Sequence, residues 1–142
     1  MESGKINYCA MSDLIGKNVT ALFLSPDQAT LIVTHDQGQS VYTTFADCCS
    51  ETWIADIVGV QNLLGHTVVD ARDIDVEAVD DGRSRQECDE FYGIKIVTTG
   101  GYVDLIYRNS SNGYYGGNLS RAVDYQIDPG DDWLDLRDDY SA

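Results

Sequence analysis

Three short runs dominated by β-branched, apolar and aromatic residues open the chain: V-T-A-L-F-L-S over 19–25, A-T-L-I-V-T-H over 29–35 and Q-S-V-Y-T-T-F-A over 39–46. Pro26-Asp27-Gln28 and Asp36-Gln37-Gly38 separate them, and turns of that chemistry predict a three-stranded antiparallel meander. Upstream, Ser12-Asp13 ahead of Leu14-Ile15-Gly16 predicts one capped helical turn that stops at glycine.

The period then changes. Ile54, Ile57 and Val58 fall on one helical face, Ser50 is available as N-cap and Glu51 lies near the positive helix end, so residues 50–65 predict a short helix interrupted at Gly59. Alternation returns over 66–76, which reads as a strand. The acidic stretch 77–88 reads as a loop. Residues 91–99 and 102–108 predict a second hairpin closed by Thr99-Gly100-Gly101, and Asn112-Gly113 signals another. A final short strand is predicted over 123–127, and an amphipathic turn through Trp133, Leu134 and Leu136.

No internal repeat is visible, and 142 residues suit one core. The predicted class is α+β: about six to seven strands of mainly antiparallel sheet with one short helix packed on it. The predicted organisation is a flexible N-terminus over 1–10, a single domain over 11–127 and an acidic tail over 128–142.

Charge narrows the function. The net charge is −15, which argues against direct binding of nucleic acid or an anionic membrane through a basic face. Residues 70–90 hold nine acids and three arginines, and residues 124–142 hold seven aspartates and one arginine. Each stretch is solvated surface or part of an acidic face that imitates nucleic acid. The chain offers no apolar run of bilayer length and opens without an apolar signal core, so a cytoplasmic protein is expected. Cys9, Cys48, Cys49 and Cys88 lack metal or redox spacing and read as reduced thiols. Neither His35 nor His66 lies near a cysteine in sequence, so no metal and no cofactor are expected.

A catalytic constellation is absent: there is no nucleophile elbow and no phosphate loop, and carboxylates are too many to pair by eye. The expectation is a non-enzyme. Two motifs stand out instead. Asp47-Cys48-Cys49-Ser50-Glu51-Thr52-Trp53 lies at the predicted strand-to-helix passage, where Asp47 or Ser50 would cap the helix and free N–H groups would attract phosphate; Asp47, Ser50 and Trp53 are secondary site candidates. Residues 108–117, R-N-S-S-N-G-Y-Y-G-G, combine Arg108 for phosphate, Asn109, Ser110 and Asn112 for hydrogen bonds, and Tyr114 and Tyr115 for stacking. Gly116 and Gly117 would allow a bulge or a close approach.

Those two motifs, with G-V-x-N-L-L-G after the first and Y-G-I-K-I-x-T between them, resemble a family of uncharacterised tailed-phage proteins, a domain of unknown function. The resemblance spans about residues 14–118 and implies a small accessory protein in a bacterial host. It transfers no catalytic residue. The leading expectation is an anti-defence protein that binds and sequesters a nucleotide-derived immune signal. The alternative is an acidic inhibitor that blocks a basic surface of a host defence protein. Trp133, Leu134 and Leu136 offer an apolar set on which a second copy could dock.

Overall fold

Nine strands account for nearly all the regular structure in the computed structural model, which describes residues 9–46, 50–77, 88–111, 117–122 and 127–136. Of these, 88 and 111 are described by backbone alone. A 3₁₀ turn, Ser12–Leu14, precedes β1 (Val19–Leu24), β2 (Thr30–His35) and β3 (Gly38–Ala46). These three form the expected meander, within a residue or two of the predicted limits. β8 (Gly117–Ala122) joins the outer side of β3, and the two-residue β9 (Leu134–Asp135) joins the outer side of β1, giving the order β8-β3-β2-β1-β9.

The second sheet holds β4 (Ser50–Val58), β5 (Val68–Ile74), β6 (Cys88–Thr98) and β7 (Gly101–Ser111), in the order β4-β7-β6-β5. Both sheets are antiparallel throughout. The Thr99-Gly100 turn sets the register of β6 on β7, and Gly101 at φ +137° supplies the left-handed conformation that the turn requires.

The expected helix over 50–65 is instead β4 followed by a 3₁₀ turn, Val60–Asn62, and the described residues contain no α-helix element. The cause is a bulge. Ile54 pairs with Tyr107, but the next partners are Asp56 and Ile106, so Ala55 is the extra residue. The inward positions therefore run 52, 54, 57, and the three-residue step from Ile54 to Ile57 imitates a helical stripe. Both isoleucines are buried, at 1% and 3% exposure. The predicted 112–113 hairpin is corrected too. β7 ends in one sheet and β8 begins in the other, so the connection crosses between sheets. Residues 112–116, like most of the predicted strand over 123–127, lie outside the described residues.

One hydrophobic core fills the space between the sheets, with Leu22, Val33 and Tyr42 from the first meeting Ile54, Ile94 and Leu105 from the second. Backbone bonds stitch the sheets along both sides. On one side the Val19 N–H donates to His66 and the Val68 N–H to Lys17. On the other, the carbonyl of Gln28 accepts from the Ile54 N–H at 2.8 Å, while the Gln28 side chain donates back to the Ile54 carbonyl at 2.8 Å. Leu136, in the predicted tail, is 1% exposed within the core of its own chain.

Candidate functional site

Pairing within the second sheet aligns Trp53, Arg108 and Phe91 across β4, β7 and β6. The Arg108 guanidinium lies 5.0 Å from the Trp53 ring centroid and 5.4 Å from that of Phe91. Its Nε and Nη2 both reach Asp89 Oδ1 at 3.1 Å. The two side chains are 2% and 4% exposed. Arg108, expected to face a phosphate, is instead committed to a buried ion pair. Two aromatic faces and a carboxylate offset part of the cost of burying the cation, while Asp89 Oδ2 is left buried without a partner among the described residues.

Its neighbours are equally enclosed. Asn109 is 1% exposed, and its Nδ2 donates to Thr52 Oγ1 at 2.9 Å and Ser50 Oγ at 3.2 Å. Ser110, at 1% exposure, has a hydroxyl without a hydrogen-bond partner. Ser50 and Trp53 are strand residues of β4, so neither caps a helix. A Cβ at Gly117 would fall 2.0 Å from Thr52 Oγ1 and 2.8 Å from Asn109 Nδ2, which bears out the expected close approach there. The structure thus buries Arg108, Asn109, Ser110 and Trp53 at one end of the second sheet, with the half-buried Ser50 beside Asn109. Asp47, Asn112, Tyr114 and Tyr115 lie outside the described residues.

A second polar cluster escaped the sequence reading. Asp13 Oδ1 accepts from the Tyr42 hydroxyl at 2.6 Å, and Oδ2 accepts from Ser40 Oγ at 2.7 Å and lies 3.3 Å from Arg121 Nε. Ser40 Oγ is also 3.0 Å from His35 Nε2. The Gln37 N–H donates to His35 Nδ1 at 3.2 Å, which places the ring proton on Nε2, donating to Ser40. A serine that receives from histidine and donates to aspartate is not an activated nucleophile, and Ser40 is only 3% exposed. This network fastens the 3₁₀ turn to β3. Burial, then Lys17, holds the His35 pKa below its ordinary value. Burial and the Asp13 bond push the Tyr42 hydroxyl far up.

Open space lies at the margin of the core, on the inward face of the second sheet. A cleft of about 520 Å³ is lined by Asp73, Ile74, Asp75, Tyr92, Gly93 and Tyr107. Tyr92 and Tyr107 are register partners on β6 and β7, with rings stacked at 5.0 Å and inclined by 24°. Gly93 lets β5 and its continuation fold over β6, since a Cβ there would meet Val76 Cγ1 at 2.4 Å. The Tyr92 hydroxyl donates to Glu90, and burial with that bond pushes its pKa up to about 12. Burial, then the nearby Asp73 charge, raises Tyr107 as well. Burial alone holds Asp73 above the usual carboxylate range. Neither Asp73 nor Asp75 has a hydrogen bond or ion pair among the described residues.

Comparison with known proteins places this architecture. The model of a domain of unknown function (DUF7448) matches residues 12–120. The chain belongs to that family. A curated relative, the uncharacterized protein L278 of Acanthamoeba polyphaga mimivirus, is 36% identical over 92 residues, covering 56% of this chain and 65% of the relative. No solved structure gives a significant match. The expected domain of unknown function is thus present, while the relative found belongs to a virus of amoebae, and the comparisons carry nothing specific to tailed phages.

The DUF7448 match takes in the buried Arg108 row, the Asp13 network apart from Arg121, and the tyrosine cleft, and leaves β9 outside. Within the described residues every cation is engaged. Arg72 pairs with Asp70, Lys95 lies 4.0 Å from Asp104, Arg108 holds Asp89, Arg121 approaches Asp13, and Lys17 donates to the Asp13 carbonyl. Asp73 and Asp75, at the cleft, have no ion-pair partner among the described residues. No helix among the described residues is long and apolar enough to cross a membrane.

Proposed function

We propose that this DUF7448 protein is a non-catalytic binding protein whose acidic face engages a basic surface on a partner protein. The observation that carries the reading is the cleft: it holds two carboxylates without cation partners among the described residues, beside a stacked tyrosine pair. The charge distribution supports it, because the two carboxylates of the cleft belong to the stretch 70–90 that holds nine acids and three arginines. Acidic potential of that kind steers a basic partner and repels anions. Sequestration of a nucleotide signal has less support, since Arg108, the cation that reading depends on, is occupied by Asp89.

The mimivirus relative supports a viral setting without favouring a bacterial host. In an infected cell such a face would occupy the nucleic-acid groove of a host defence protein and keep it from its target. The test is titration of the purified protein with basic peptides and, in parallel, with cyclic dinucleotides and cyclic ADP-ribose isomers. The reading expects salt-sensitive peptide binding and no heat with the nucleotides. Binding of a nucleotide alone would overturn it.

A further inference from the structure

Resting on that reading, we infer that the tyrosine cleft is the anchor point of the interface and that it takes the guanidinium of one arginine side chain from the partner. Two features besides acidity point to a ligand. Tyr107 lines the cleft at 9% exposure, and its hydroxyl has no hydrogen-bond partner among the described residues. That oxygen is reached by solvent at the cleft, where a donor brought by a ligand can take the place of water. The cleft, at about 520 Å³, is also a built cavity of small-ligand size, larger than one side chain needs.

The acceptors select the class. Asp73 and Asp75 offer carboxylate oxygens from one strand end, and Tyr107 offers a phenolic oxygen from across the cleft. Guanidinium has five donors in a planar fork and no acceptor, so it can serve both carboxylates and the phenol while its flat face lies against an aromatic ring. An ammonium has three donors on a point charge and cannot fork to a carboxylate. The protein already uses this chemistry once: Arg108 meets a carboxylate between Trp53 and Phe91. The cleft repeats the acceptor and the aromatic wall without an arginine of its own among the described residues.

The experiment compares octa-arginine with octa-lysine, which carry equal charge, on the full-length protein by calorimetry at physiological salt. Octa-arginine should bind about ten-fold more tightly, the difference expected of one additional charge-assisted contact. Tyr107→Phe, which keeps the ring stack, and Asp73→Asn, which keeps the shape, should each erase most of that advantage in a protein that still unfolds cooperatively; Asp73→Asn, which takes a charge from the acidic face, should weaken octa-lysine as well, but by less than octa-arginine. Equal affinities in the wild-type protein, or an advantage that both variants retain, would overturn the arginine cleft while leaving the acidic-face reading in place. If neither peptide binds, both fall.

Discussion

Arg108 and Asp89 stand diagonally across β7 and β6, and one carboxylate oxygen receives both Nε and Nη2 of the guanidinium at 3.1 Å. Removing one member of a buried pair strands the other. Arg108→Ala should therefore destabilise the fold by about 3–5 kcal/mol, read from urea unfolding. Arg108→Lys should recover only part of this, because the fork is lost. Replacing both members with apolar side chains should cost less than either single change. An Arg108→Ala protein of unaltered stability would contradict the structural role.

Gly117 tests where the sheets meet. Gly117→Ala drives a methyl into Thr52 Oγ1 and toward the Phe45 carbonyl, so a loss of about 1–3 kcal/mol is expected in thermal or urea unfolding. Adding Thr52→Ala should return some of that loss, since the nearest obstructing atom is then gone.

The His35 network sets a pH dependence. The folded pKa lies below the unfolded value of about 6.5, so the unfolded chain binds the proton first as pH falls. Stability is full above about 6.5 and declines as pH drops toward the folded value. Lys17 and Arg121 push the ring the same way as burial does, while Asp13 and Asp36 oppose them. Asp73 works in the other sense: its raised folded pKa means that acidification into the carboxylate range, below that value, relieves a penalty. Urea midpoints at pH 7.5 and 5.5 should fall for the wild type and fall less for His35→Gln.

Leu136 separates packing from charge in the C-terminal stretch. Leu136→Ala keeps every aspartate yet opens a space beside a core residue that is 1% exposed. It should cost about 2–5 kcal/mol. A truncation from residue 131 onward should lose at least as much, so a functional defect in such a truncation reports folding as well as charge.

Much of the sheet was legible because turn chemistry and alternation agree: the first meander and the β6–β7 hairpin follow from residue types alone. β4 was misread for a local reason, the extra residue at Ala55, which no single-sequence period can distinguish from a helix turn. Arg108 was misread for a different one. Its fate depends on Trp53 and Asp89, one of them distant in sequence, and a composition poor in cations makes any arginine look exposed. Yet the register held a clue. Counting back from Thr99-Gly100 pairs Tyr92 with Tyr107 and Arg108 with Phe91, two residues from Asp89. What counting cannot supply is β4 on the other side of β7, nor the way Asp13 gathers Ser40, Tyr42 and Arg121.

The pairing of β9 with β1 also governs when this fold can close. β1 is made well before β9, and among the described residues its outer edge finds its strand partner in Leu134 and Asp135. While the chain emerges from the ribosome, that edge is a row of unpaired amides and carbonyls, open to strands of other chains. β8 comes almost as late to the other edge of the same sheet. Leu134 and Asp135 therefore act as a latch for that edge: their pairing ends the interval in which it can pair wrongly, and a chain stalled or cut before them stays in it.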